Sequence, residues 1–384
     1  MTEPRVLFAV NDFPPLFGGE STLYHGLARH LPAGEAALLA PRLPGDQACD
    51  RDLPVRVFRR RIPEHGGHLS RLARSACALA HLEALLSAHR YRYLVCGQLL
   101  SLGVPVRLLA RLHGLPYAVF VHGADLLDYH DRPPWGRLAR WVVEGADAVL
   151  VNSRFTGALV ERLLPGAARR IVVLPMGVSS PQPPSDSQLA DLRRRYRLEG
   201  GPVLLSVARL VPCKGHDVVL RALPGLLRHH PDLRYLIVGA GPQRASLERL
   251  AADLGVAESV VFCGLVPQAE LPAHFRVATL FVLLSRATGQ YDGLEGFGLA
   301  FLEAASHGLP AIGGRSGGVP EAVQEELTGL LVPPLDLEAF ATAAERLLGD
   351  PGARARMAEA ARLWALSHTW ERSASVLRSV WSGD

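Results

Sequence analysis

The residues best suited to holding a charged leaving group fall in two short runs. The first is Ser206-Val-Ala-Arg209-Leu-Val-Pro-Cys-Lys214-Gly215-His216. It follows an apolar stretch and precedes a helical pattern, so Arg209 and Lys214 belong to a strand-end loop beside the free N–H groups of a helix start. Two cations and a helix N-terminus suit a diphosphate. The plainer reading is a solvated loop with two surface cations. Lys214 is the one lysine of the chain, against forty arginines. A chain that uses arginine almost everywhere, but lysine here, points to a position that wants a compact point charge rather than a planar fork. The second run is Asp292-Gly-Leu-Glu295-Gly296-Phe297-Gly298-Leu299-Ala-Phe-Leu-Glu303. A helix opening near Phe297 puts Glu295 at the loop tip and Glu303 almost two turns along. The two carboxylates then meet different parts of one extended ligand, and the glycines let backbone amides approach it. A capped helix with one exposed Glu is the plainer alternative.

Other runs are weaker. Gly239-Ala-Gly241-Pro242 begins like a dinucleotide fingerprint, but position 244 is Arg where the third glycine would stand, and a tight strand-to-helix turn accounts for it. Asn11-Asp-Phe-Pro-Pro-Leu-Phe-Gly18-Gly19-Glu20-Ser21 offers another glycine-rich, anion-friendly loop before a helix. Val121-His122-Gly123 ends a further strand, where a lone histidine is as readily structural as catalytic. Asp50-Arg-Asp52 matches a metal-binding Asp-x-Asp pattern but lies in a polar loop, and it reads as a chance match. No zinc pair or nucleophile elbow is present, so no metal is expected. Residues 56–74 are rich in arginine and lead into an amphipathic helix; they read as a solvated face or as a patch for anionic lipid or an anionic acceptor.

These loops need elements to position them. At 384 residues the chain exceeds one ordinary core and suggests two domains. With 48% apolar and 20% charged residues it can bury large cores and is not disordered. A net charge of +4 argues against a nucleic-acid binder. The charge is uneven: 21 arginines face 15 acids in residues 1–180, while 20 basic residues face 22 acids in the rest. Five scattered cysteines argue against a disulfide framework and fit a reducing compartment. The start runs straight into an apolar stretch, and no run reaches the length of a spanning helix, so neither a signal peptide nor a span is expected.

Strands are expected at 6–10, 36–40, 55–58, 93–96, 118–121, 148–151 and 171–174, then at 203–207, 235–238, 260–262, 280–284, 311–312 and 330–332. Helical patterns lie between them, and further helices close the chain. Continuous apolar strands alternating with helices indicate parallel sheets covered on both faces. The expected architecture is α/β: two doubly wound, Rossmann-like domains facing across a cleft. The bounds are 1–180, a Pro/Ser-rich linker at 181–200, 201–367, and a terminal segment at 368–384. Ligands of such sheets bind at the carboxyl ends of the strands.

Taken in order, the Gly-Gly loop, the strand-ending His-Gly, Arg-x4-Lys-Gly, Gly-x-Gly-Pro and Glu-x7-Glu resemble the retaining family 4 glycosyltransferases of the GT-B fold. The likeness extends to Gly313-Gly-Arg-Ser-Gly-Gly-Val-Pro-Glu321 and spans nearly the whole chain. It implies that Arg209 and Lys214 bind the nucleotide diphosphate and stabilise it as it leaves. It implies that Phe297, Gly298 and Leu299 approach sugar and phosphate through their backbones, that Glu303 binds the ribose and that Glu295 holds the sugar ring. Val266, in the loop from Gly264, would contact the base; Gly18 and Gly19 would lie beside the diphosphate, with Gly241 in the donor loops. His122 would reach the sugar near the reacting centre. Trp370 and the closing helix would pack back on the first domain. Many members have Asn-Gly-Val where this chain has Met176-Gly177-Val178, so no role is carried to Met176.

The function this implies is metal-independent transfer of a hexose, with a lean to GDP-mannose, with retention of configuration. The nucleotide sugar is a co-substrate and no cofactor is called for. The acceptor (glycan, lipid-linked or small molecule) is left open. The expected location is cytoplasmic, with peripheral contact at the inner membrane face through residues 56–74. A nucleotide-sugar epimerase, a sugar phosphorylase or a non-catalytic nucleotide-sugar binder on the same fold are the alternatives.

Overall fold

The computed structural model describes residues 5–63, 68–198, 200–288 and 293–382. Two compact units emerge, one of Met1–Gly177 with Thr369–Asp384, the other Val178–His368.

The first unit is a seven-stranded parallel sheet of β1 (Val6–Ala9), β2 (Ala36–Pro41), β3 (Arg56–Arg60), β4 (Tyr93–Cys96), β5 (Tyr117–Val121), β6 (Ala148–Val151) and β7 (Ile171–Val173). Its strand order is 3-2-1-4-5-6-7. The register is set by pairs such as Val6↔Ala36 and Val6↔Tyr93. β1, β4, β5 and β6 are buried at every residue, as helices on both faces require. Phe8 of β1 stacks on Phe120 of β5 at 5.8 Å, and Tyr24 from the helix Gly19–His30 meets both edge-on. That aromatic cluster fixes the helix against the sheet and aims the Tyr24 hydroxyl at the carboxyl ends of the strands.

The closing helix Trp370–Ser382 belongs to this unit. A Cβ on Gly26 would lie 2.4 Å from the Trp370 ring, so glycine there is what lets the indole lie flat on the helix Gly19–His30. Ser373 Oγ donates to the Pro175 carbonyl at 2.6 Å, and Arg378 and Trp381 both donate to Glu35. Burial of the indole alone is worth ~2–3 kcal/mol.

The second unit is a six-stranded parallel sheet of β8 (Val203–Val207), β9 (Arg234–Val238), β10 (Val260–Gly264), β11 (Leu280–Leu283), β12 (Ala311–Gly314) and β13 (Gly329–Val332). Its order is 10-9-8-11-12-13. Every expected strand is present, with ends shifted by a residue or two. Residues 181–200, read from composition as a linker, include a helix, Asp186–Tyr196, which belongs to the second unit. Ser185 and Gln188 form a reciprocal capping box at its start. The Pro/Ser composition that suggested a linker ends in the cap of that helix. Phe301 packs edge-on against Phe281 of β11 at 5.2 Å, which ties the helix Leu299–Ser306 to the sheet centre.

Candidate functional site

In each unit the strand order reverses between two neighbours, β1 and β4 in the first and β8 and β11 in the second. Ligands of open α/β sheets bind outside the carboxyl ends at such a reversal. The chemistry-bearing residues of the sequence fall at these two places.

In the second unit, Lys214 follows β8 and Glu295 follows β11. Their side chains meet at 2.5 Å, Nζ to Oε2, and both are largely buried, at 17% and 14% exposure. Ser285, fully buried at the end of β11, donates to the same carboxylate oxygen at 3.3 Å. Among the described residues Lys214 thus keeps two of its three N–H donors for a ligand, and Glu295 keeps one oxygen.

The loop carrying Lys214 is braced from β11. The Arg286 amide donates to the Cys213 carbonyl at 2.8 Å, and the Arg286 guanidinium grips Asp217 through both nitrogens at 2.9 and 3.1 Å. Gly215 takes a left-handed φ of 70° with the Leu284 carbonyl 2.1 Å from where a Cβ would be. The glycine run after β12 has the same purpose on the other side. A Cβ on Gly318 would sit 2.0 Å from the Gly296 carbonyl, and the Gly318 amide donates to the Glu295 carbonyl at 2.9 Å. Backbone fits backbone around the Lys214–Glu295 pair.

Gly298 caps the helix Leu299–Ser306 with φ 97°, leaving the first N–H groups of that helix uncapped by any side chain. Phe297 and Leu299 flank it and are buried. Glu303, one turn further, has no side-chain partner among the described residues, and burial pushes it up to about 7. Arg209 is exposed in the loop after β8. Gly241 lies against Leu210, whose carbonyl would be 2.5 Å from a Cβ, so glycine there is required to seat the Arg209 loop. Val266 is buried just past β10. Asp292, which opens the second run, lies outside the described residues.

In the first unit, His122 follows β5, and its Nε2 lies 2.7 Å from the Tyr24 hydroxyl and 3.2 Å from the Gly97 carbonyl. Tyr24 also donates to Gly97, so one hydroxyl joins the ends of β4 and β5. Glu20 stands 3.7 Å from His122 Nε2. Burial disfavours the charged imidazole, but Glu20 and Asp125 outweigh it and raise the His122 pKa above its ordinary value. Gln98 reaches Glu20 at 3.0 Å and Asp12 at 3.1 Å, and its carbonyl accepts from the Asn11 amide at 2.9 Å. Gly18 and Gly19 are exposed, and a Cβ on either would meet open space. Packing does not demand glycine at either position, in contrast with Gly241, although the φ of 149° at Gly18 itself favours glycine.

Two residues that matter here had no sequence signal. Arg59, one arginine among forty, is buried. It grips Asp50 at 2.7 and 2.9 Å, donates to the Pro41 and Pro14 carbonyls, and lies over Phe13 at 5.1 Å. It therefore anchors the loop that leads to Gly18. Asp50, the first carboxylate of the Asp-x-Asp run, is engaged in this pair. Among the described residues no group of three or more His, Cys, Asp or Glu comes together to hold a metal ion. The second is Arg286, whose pairing with Asp217 joins positions 69 apart.

The arginine-rich segment is not one exposed patch. Arg59 and Arg74 are buried, and Arg74 donates to the Pro63 carbonyl at 3.2 Å. Arg56 and Arg61 remain exposed. Residues 64–67 and the Arg71 side chain lie outside what is described. No helix of the described residues is long and apolar enough to cross a membrane.

Residues 190–364 match the family of group 1 glycosyl transferases, and residues 18–177 match the glycosyl transferase 4-like domain. The chain belongs to the family 4 glycosyltransferases of the GT-B fold. It is 33% identical to the GDP-mannose-dependent α-(1-6)-phosphatidylinositol monomannoside mannosyltransferase of Mycolicibacterium smegmatis, over 98% of both chains. It is 30% identical to the α-D-kanosaminyltransferase of Streptomyces kanamyceticus over 71% of this chain and 73% of that one. Among solved structures, the Anabaena protein HepE in complex with UDP and glucose superposes with a TM-score of 0.82 over the full length of both chains, at 19% identity. This glycosyltransferase therefore carries the two matched segments on its two Rossmann-like units, with the Arg209–Lys214 and Glu295–Glu303 runs both inside the group 1 segment.

Proposed function

We propose that this glycosyltransferase moves mannose from GDP-mannose to a hydroxyl of a polyol acceptor with retention of configuration and without a metal ion. The observation that carries the reading is the 2.5 Å contact of Lys214 with Glu295. A sugar nucleotide joins an uncharged, hydroxyl-rich ring directly to a diphosphate. A site for it needs a hydroxyl acceptor beside a cation, and this pair supplies both side by side. The two free N–H donors of Lys214, the exposed Arg209 and the helix start at Gly298 stabilise the charge that develops on the departing diphosphate. Phe297 and Leu299 hold that helix start in place. Glu295 binds sugar hydroxyls and Glu303 the ribose diol, with the base near Val266. Gly241 keeps the Arg209 loop in register. In the first unit, Gly18, Gly19 and His122 are the residues that the family resemblance would bring to the donor.

The acceptor oxygen forms its bond to the anomeric carbon on the face from which the phosphate oxygen departs. The acceptor proton passes to that phosphate oxygen, so no separate protein base is required. The mannose lean rests on the Mycolicibacterium relative's name, and a mannosylated inositol lipid is the acceptor that name suggests. The Streptomyces relative is named for a different sugar, so donor and acceptor are tested separately. A thermal-shift panel of nucleotide sugars reads the donor, since a ligand of the native state raises the melting temperature. GDP-mannose is expected to give the largest shift; a larger shift with a UDP-sugar overturns the donor assignment. Turnover that EDTA abolishes would overturn the metal-free mechanism.

A further inference from the structure

The amino end of the first sheet carries a second concentration of cations. Arg5 precedes β1, and Arg90 and Arg92 precede β4. The Arg92 amide donates to the Arg5 carbonyl at 2.7 Å, so the two arginines start neighbouring strands side by side. Like charges in that relation repel. His89 and His113 join them around a cavity of about 560 Å³ whose wall includes the buried Tyr91. That volume is within the range of small-molecule sites.

The charges are not answered from within. No hydrogen bond or ion pair of the Arg5, Arg90 or Arg92 side chain occurs among the described residues. Glu35, whose carbonyl accepts from the Arg5 amide, turns its carboxylate to Arg378 and Trp381 instead. Glu83 is held by His113 at 2.8 Å. Three guanidinium forks with no carboxylate partner among the described residues suit the oxygens of phosphate, which they can bind bidentately.

We propose that this cavity is an anion site for a soluble phosphorylated small molecule carrying two or more phosphate charges, separate from the nucleotide-sugar site. It lies at the amino ends of the strands, whereas His122 and the Gly18-Gly19 loop lie at their carboxyl ends. The site does not depend on the donor assignment.

Inorganic tripolyphosphate is the probe, titrated calorimetrically at low salt into the full chain. The Lys214→Ala chain separates binding at the donor loops from binding here. It is expected to retain tripolyphosphate binding. The Arg90→Gln/Arg92→Gln chain is expected to lose at least tenfold in affinity for this site while binding GDP as the wild type does. Without ligand, that double variant should melt no lower than the wild type, because it relieves repulsion and removes no contact. Unchanged tripolyphosphate affinity in the double variant overturns the proposal. So does complete loss of binding in Lys214→Ala, which would leave the donor loops as its sole site. Sedimentation of the chain with vesicles containing a phosphoinositide, without binding of free tripolyphosphate, would overturn the soluble ligand in favour of a lipid headgroup.

Discussion

The two units build their strand-reversal ends from the same topology and opposite chemistry. In the first, Tyr24, His122, Gln98, Glu20 and Asp12 form a network rich in carboxylates and amides, joined to one another by hydrogen bonds. In the second, the loops after β8 and β11 carry a buried lysine-glutamate pair, an exposed arginine and an uncapped helix start. The fold supplies the place, and the loops supply the charge. A diphosphate seeks the second kind of end. The first suits hydroxyl groups and a proton.

That contrast is broken most severely at Lys214. Lys214→Ala is expected to lower kcat/KM by ~10²–10³-fold, about 3–4 kcal/mol by analogy with a lost oxyanion donor. Steady-state kinetics with GDP-mannose check it. Lys214→Arg should fall in the same direction, because the fork cannot both hold Glu295 and keep a compact charge at the phosphates. Wild-type activity in that variant would remove the point-charge argument.

Gly215→Ala tests the brace rather than the charge. Its Cβ would press on the Leu284 carbonyl at 2.1 Å and strain a φ of 70°. A stability loss of ~2–3 kcal/mol in denaturant unfolding is expected. An unaffected midpoint would mean the loop can move aside.

Glu303 ties function to pH. Burial lifts it from the ordinary carboxylate value of 4.5 to about 7 in the folded chain. The native state therefore favours the neutral acid. That contribution to stability is fully present below the unfolded value and is lost as pH rises through about 7. Glu303→Gln should stabilise the ligand-free chain at pH 8 by about 1–3 kcal/mol. It should also raise the donor KM, because ribose hydroxyls donate to the ionised form. For the same reason the wild-type donor KM should climb as pH falls below about 7. A flat profile from pH 6 to 8 would separate Glu303 from the donor.

The smallest effect is expected in the first unit. Tyr24→Phe removes one hydroxyl shared by Gly97 and His122, at ~1 kcal/mol of stability. Donor affinity should be unchanged.

Much of this was legible in the residues. Apolar runs fixed all thirteen strands of the described residues, and the two motif runs singled out Lys214 and Glu295 separately, whose contact across 81 positions only the structure shows. Three features were not legible, for physical reasons. Arg59 and Arg286 act through distant partners, and nothing in an arginine's type tells a buried one from a solvated one. The composition of residues 181–200 signals a linker, while the Ser185 cap that starts a helix there is two side chains and a short polar pattern.

The most direct measurement is calorimetric GDP affinity in three chains: wild type, Lys214→Ala and His122→Ala. Donor binding at the second unit predicts at least a tenfold loss for Lys214→Ala and near-wild-type affinity for His122→Ala. Loss in His122→Ala with none in Lys214→Ala would put the nucleotide at the other end and contradict the account.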